Sequence, residues 1–207
     1  MIRTLPVLAA LSAALSAALL AASPAPAQPG KPLPSTHRFR GTVEARQGDN
    51  LTIRRSTGST VTVTMGPLTQ VYTALGARLR DIKPESYISV VDVPGTEKDQ
   101  QVTLYSPSER GFAAGRQPWD TEPGATLTGG WITDLSGTGA RTVTLTYGDK
   151  TSVFEIPVGT PVTQVAPGEK ALLVPGAAVT VFTQAAPDGA HDASTIVVGR
   201  GGTVPTL

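Results

Sequence analysis

Alternation with a period of two residues dominates this chain. "NLTIRR" sets Leu51 and Ile53 on one face, and "TVTVTM" sets Val61, Val63 and Met65 on one face with threonines opposite. "YISVV", "TVTLTY", "SVFEI" and "AVTVF" repeat the pattern. Successive side chains of a strand point to opposite faces, so such short Thr- and Val-rich runs, separated by Gly, Pro and Asp, encode half-buried strands of an antiparallel sheet. Beyond the N-terminal segment no stretch carries a helical period, and a single turn near Leu79–Ile82 is the best helical candidate. The chain is expected to be all-β.

The pattern occurs twice. "FRGTV" (39–43) matches "LTGGW" (127–131), "NLTI" (50–53) matches "TVTL" (142–145), and "LTQV" (68–71) matches "GTPV" (159–162). "RDIKPESYISV" (80–90) matches "ALLVPGAAVTV" (171–181), which aligns Ile82 with Leu173 and Pro84 with Pro175. A copy of this size buries its apolar strand faces most simply by curling into a small barrel. The expectation is two tandem small antiparallel β-barrels, OB-like or SH3-like, at residues 37–106 and 125–200, joined by a structured linker at 107–124. "YISVVDV" is apolar on both faces, with Tyr87, Val91 and Val93 on the side a strand normally wets, and Phe182 aligns with Val91. This predicts a contact between the barrels on that side.

The first residues read as a targeting segment. Arg3 precedes an apolar stretch from Leu5 to Ala22, and Ala25-Pro26-Ala27 forms an A-x-A site before Gln28. A signal peptide over 1–27 is expected, with a Pro-rich leader at 28–36 and a tail at 201–207; an uncleaved anchor is the competing reading. Periplasmic or secreted localisation follows. The absence of Cys closes the lipoprotein route and leaves stability to packing rather than disulfides. No later run is long and apolar enough for a transmembrane segment.

Residues 37–106 hold nine Lys/Arg against seven Asp/Glu, and residues 125–207 hold four against six. Halves of opposite sign argue against a nucleic-acid partner.

"HRFRGTVEARQGDNLTIRRSTGSTVTV", "LRDIKPESYISV", "RGFAAGRQPWD" and "APDGAHDASTIVVGRGGTVP" resemble a family of exported, chiefly alphaproteobacterial proteins. That family is built from a repeated β-rich domain of unknown function and is often labelled "metal ABC transporter permease". The likeness runs from His37 to Pro205, with Gln117 inserted relative to the family's "RPWD"-like tract. It implies a β fold and an exported compartment, and brings no catalytic residues. The permease label conflicts with the lack of membrane spans.

Reactive constellations are scarce. There is no Cys and no G-x-S-x-G, and the two histidines, His37 at a strand entry and His191 in the "PDGAHD" turn, read as surface residues. "DLSGTG" (134–139) opens like a calcium loop but would place Leu145 where a bidentate Glu is required. Asp188, His191 and Asp192 read as turn chemistry rather than a metal site. Phosphate loops are lacking, and "GRGG" (199–202) reads as tail. Arg38, Arg40, Arg54, Arg55, Arg78 and Arg80 make the first copy locally basic, and a solvated strand face accounts for them.

"ERGFAAGRQPWD" (109–120) stands apart from its surroundings. Being a connection explains its Gly and Pro but not its Trp, since a free tether carries small polar residues. Trp119 is expected to pack between the barrels, with Arg116 or Arg110 paired to Asp120 or a neighbouring acid. The rival reading makes Arg110, Phe112, Arg116, Trp119 and Asp120 a ligand site. The functional expectation is a non-catalytic exported binding or adaptor protein, with no catalytic residues, metal or cofactor, whose partner is an envelope protein or polymer. The alternatives are a small-ligand, metal or polyanion binder using the inter-barrel groove and, last, an enzyme.

Overall fold

The alternating runs become strands whose apolar side is sealed. A computed structural model describes residues 37–185 and 191–207; the expected signal peptide and leader lie outside them, as does Asp188. The strands are β1 (Arg38–Gln47), β2 (Asn50–Arg55), β3 (Thr60–Ala77), β4 (Tyr87–Val93), β5 (Thr96–Tyr105), β6 (Gly115–Pro118), β7 (Thr126–Ser136), β8 (Arg141–Tyr147), β9 (Lys150–Ile156), β10 (Val162–Pro167), β11 (Ala178–Ala185) and β12 (His191–Gly199). Leu51, Ile53, Val63 and Met65 are buried while the threonines between them in β3 are exposed, as the period of two requires. Short 3₁₀ turns sit at Leu79–Asp81, where the helical candidate was placed, and at Lys170–Leu172 in the second copy. Among the described residues, no helix is long and apolar enough to cross a membrane.

The protein is all-β and contains a closed five-stranded barrel with further strands attached. The barrel follows the order β12-β11-β1-β2-β3 and closes through a parallel pairing of β12 with β3. The closed barrel therefore is not built from residues 37–106 alone. It takes three strands from the first copy and two from the second. The remaining strands run β10-β5-β4-β7-β8-β9, again mixing both copies.

The cause lies in β3. It runs without a turn from Thr60 to Ala77, pairing first with β2, then with β12, and at Tyr72–Ala77 with β10. The chain is thereby carried out of its own barrel before Ile82 and β4 are reached. Ile82 is fully buried among Ile88, Val90, Leu145 and Ile156, whereas its aligned partner Leu173 is buried among Val43, Leu51 and Val181. Each copy thus completes the other's core.

Register also departs from the sequence match. Arg38 stands opposite Phe182 as Leu127 stands opposite Val91, and bulges follow Val43 in β1 and Ile132 in β7. Gly41 therefore corresponds to Gly130 and Phe39 to Thr128, one residue from the alignment of Phe39 with Leu127. A Cβ at Gly41 would overlap the Arg54 carbonyl oxygen, and one at Gly130 would crowd that of Thr146, so only glycine admits the close strand approach at both points.

A third core lies between the two sets of strands. Tyr87, Val91, Val93 and Phe182, the apolar residues on the normally wet side, are buried there with Tyr72, Tyr105 and Val197. The apolar residues on that side are therefore buried against one another. Leu207 is buried in the same seam, and the Thr206 hydroxyl lies 3.1 Å from that of Thr103 on β5 and 2.8 Å from that of Thr163 on β10. The expected tail is thus a packed C-terminus, because its last leucine finds an apolar seam.

Candidate functional site

The distinctive linker connects β5 to β7, both outside the closed barrel. It is sharply folded: a 3₁₀ turn at Pro107–Glu109 is followed by left-handed residues at Gly111 (φ 89°), Ala113 (φ 56°) and Gly115 (φ 95°). It then pairs with β7 as β6, with Gln117 opposite Leu127. A Cβ at Gly129 would overlap the Ala113 carbonyl oxygen, so that glycine lets the linker backbone cross the sheet.

The linker's side chains divide between two faces. Phe112, Trp119 and Asp120 turn towards the seam. Phe112 is buried between Tyr72 and Tyr105, each ring 5.7 Å away. Trp119 is buried at 5% exposure, and the Arg38 guanidinium lies 3.7 Å from its ring centroid, with Arg40 at 5.7 Å. Asp120 accepts two hydrogen bonds from Arg40, both at 3.0 Å, and forms an ion pair with Arg38 at 3.2 Å. Burial acts to raise the Asp120 carboxyl. The hydrogen bonds from Arg40 and the charges of Arg40 and Arg38 outweigh it and hold the group below its ordinary range. Burial lowers the Arg38 guanidinium, opposed by Asp120 and aided by repulsion from Arg40.

This geometry corrects the expected pairing with Asp120, while Arg116 does meet another acid, Asp92. Asp120 is held by Arg38 and Arg40 of β1, not by Arg116 or Arg110. Its position just after Trp119 carries it across the seam, while the register of β6 sets Arg116 opposite Thr128, 4.0 Å from Asp92. Arg110 lies 5.1 Å from the ring centroid of Trp131, which is 41% exposed. The five linker residues therefore do not converge on one point.

Arg116 instead lines an open cleft of about 620 Å³ with Ala114, Gly115, Tyr147, Gly148, Asp149 and Lys150. The cleft forms because β6 and β8 follow one another along the same edge of β7, Gly115 opposite Gly129 and Thr146 opposite Trp131. The β8–β9 turn closes its far side. Beneath Arg116, the Thr126 and Thr128 hydroxyls are buried without hydrogen-bond partners. The Tyr147 hydroxyl lies 2.8 Å from Ser152 Oγ, which fixes the ring.

No family model, curated protein or solved structure matches the chain.

Trp131 was legible as a large aromatic on the wet side of a strand, opposite in phase to Ile132, and was not recognised as a candidate. Tyr147, Asp149 and Lys150 carried no signal beyond an ordinary hairpin turn. Arg38 and Arg40, read as a solvated face, are the anchors of Trp119 and Asp120. His191 and Asp192 are neighbours in a strand and point to opposite sides: the His191 ring packs on Phe39, whereas Asp192 lines a hollow with Thr64 and Leu68. Two ligands so divided do not face one ion.

Proposed function

We propose that the chain is a non-catalytic, exported binding module that takes an acidic saccharide unit of an envelope polymer in the cleft between β6 and the β8–β9 turn. The observation that carries this reading is the make-up of the cleft. Arg116 and Lys150 offer cations to a carboxylate, Asp149 accepts hydrogen bonds from sugar hydroxyls, and Tyr147 supplies an aromatic wall.

The A-x-A site after the N-terminal apolar stretch supports export, as does the resemblance to an exported repeat family. We read β10-β5-β4-β7-β8-β9, which encloses its own apolar core, as a second small barrel of OB-like type. The clasp of Trp119 and Asp120 is its brace against the first barrel, so that the cleft is presented on a rigid support.

Affinity electrophoresis tests the reading. Migration of the purified protein is compared in gels containing polygalacturonate or neutral dextran. Retardation by the acidic polymer alone is expected, with loss of the effect in the Arg116→Ala, Lys150→Ala double variant. Equal migration in the two gels refutes the acidic-saccharide reading.

A further inference from the structure

The closed barrel ends in a second polar cluster, independent of the cleft. Phe39 shares the inward face of β1 with Val43, and His37 lies two residues before it on the same side. Arg55 ends β2 opposite Gly41, and His191 begins β12. These residues meet around one ring. The Arg55 guanidinium lies 4.3 Å from the Phe39 centroid, and the His191 ring lies 4.8 Å from it at an interplanar angle of 70°. The His37 and His191 rings are 6.5 Å apart. His37 is exposed, and Arg55 and His191 are half-buried, so the group sits at an open mouth.

The donors of this group are unused. Arg55 Nε and His191 Nδ1 are buried with no hydrogen-bond partner. Among the described residues, the Arg55 side chain has no ion pair or hydrogen bond at all. Among the described residues, every nearby carboxylate is committed elsewhere or faces away. Glu44 pairs with Arg54 on the outer side of β1 and β2, Asp120 holds Arg38 and Arg40 on the outer side of β1, and Asp192 points from the opposite side of β12. From β11 the mouth receives buried Thr183, whose hydroxyl donates to the His37 carbonyl at 3.1 Å, and from β3 it receives apolar Val61.

The other copy does not carry these residues at the matching positions. At the corresponding mouth of the other copy, Thr126 stands for His37, Thr128 for Phe39 and Tyr147 for Arg55, as the shared approach of Gly41 to Arg54 and Gly130 to Thr146 establishes. A guanidinium and an imidazole with buried, unpartnered nitrogens are a costly way to close a barrel, since buried donors lose their water.

We infer that this mouth binds a tetrahedral oxyanion of the sulfate or phosphate type. The terminal nitrogens of the Arg55 guanidinium provide the bidentate contact, and His37 and His191 add hydrogen bonds.

The test is a titration of the full chain with sodium sulfate, whose charge is constant between pH 5.5 and 8, at ionic strength held with sodium chloride. The histidine ring C–H resonances are followed by NMR. Saturable shifts are expected. Arg55→Gln should weaken binding about tenfold or more, and Arg55→Lys, which keeps the charge but not the fork, several-fold. His37→Asn, followed on the His191 resonances, and His191→Asn, followed on those of His37, should each weaken binding several-fold, and Arg80→Ala, at an exposed arginine of the Leu79–Asp81 turn, should leave it unchanged. The absence of saturable shifts with the folded wild type, or undiminished affinity in both folded Arg55 variants, overturns the proposal.

Discussion

The Arg38 guanidinium lies 3.7 Å from the centroid of the Trp119 ring, joining the first strand of the chain to the linker that precedes β7. A cation held against an indole face in a buried seam contributes dispersion and electrostatic attraction together. Arg38 occupies the position that Leu127 takes in the other copy, so charge substitutes for an aliphatic side chain because an aromatic ring is there to receive it.

Removal of that ring opens the seam. Trp119→Ala should cost about 3–5 kcal/mol, the usual range for truncating a buried Trp. Because each set of strands contains strands of both copies, the two cannot melt separately. Calorimetry should show one transition at lower temperature; two resolved transitions would contradict the exchange of strands.

Asp120 makes the same seam sensitive to acid. Its carboxyl is held below its ordinary value of 3.8 in the folded state, so the folded protein binds fewer protons than the unfolded chain. The stabilisation is complete above the ordinary aspartate range and is lost as pH falls through the depressed folded value. Urea unfolding at several pH values should show wild type more stable than Asp120→Asn at pH 7, with the gap closing below about pH 4. A gap independent of pH would show that the carboxylate charge is not what holds Arg38 and Arg40.

Much of this was open to inspection in the sequence, and the limit has a physical origin. Leu51, Ile53, Val63 and Met65 were legible as core because facing alternates locally along a strand. Ile82 and Leu173 were legible as equivalents because the spacing of apolar and Pro positions repeats in 80–90 and 171–181. Which copy's β4 lies beside which β1 was not legible. Tandem and exchanged pairings use the same strand faces and the same ladders, and the choice is made by β3 running straight past Gly66 and Pro67. Trp119 was recognisable as a residue that needs burial, but its partners Arg38 and Arg40 lie some eighty residues away, and alternation carries no information at that range. The cleft was hidden because it arises from the end-to-end placement of β6 and β8 on β7, not from any motif.

The repeat also exposes a strained position. Glu85 has φ 63° in the turn before β4, and its counterpart before β11 is Gly176 at φ 89°. A non-glycine residue in the left-handed region costs roughly 1 kcal/mol, which glycine avoids. Glu85→Gly should therefore stabilise the protein by up to about 1 kcal/mol, less the greater freedom glycine adds to the unfolded chain. A fall in stability on chemical denaturation would show that the Glu85 side chain contributes more than its backbone costs.

The exchanged topology makes its strongest prediction for separated halves. Residues 37–106 alone retain β1, β2 and β3 but lack β11 and β12, so Phe39, Val43, Leu51 and Met65 lose the Val181, Ile196 and Val198 side of their core. Burying each such side chain is worth about 1.5–3 kcal/mol, and a domain's net stability is only about 5–15 kcal/mol, so an open three-stranded remnant cannot remain folded. Residues 107–207 lack β4 and β5 and lose Ile88, Val90, Val102 and Leu104 from the other core. Each fragment by itself should therefore show no cooperative transition by circular dichroism, whereas an equimolar mixture should regain strand signal and a single melting transition. Independent folding of 37–106 would restore the self-contained barrel and refute the exchange.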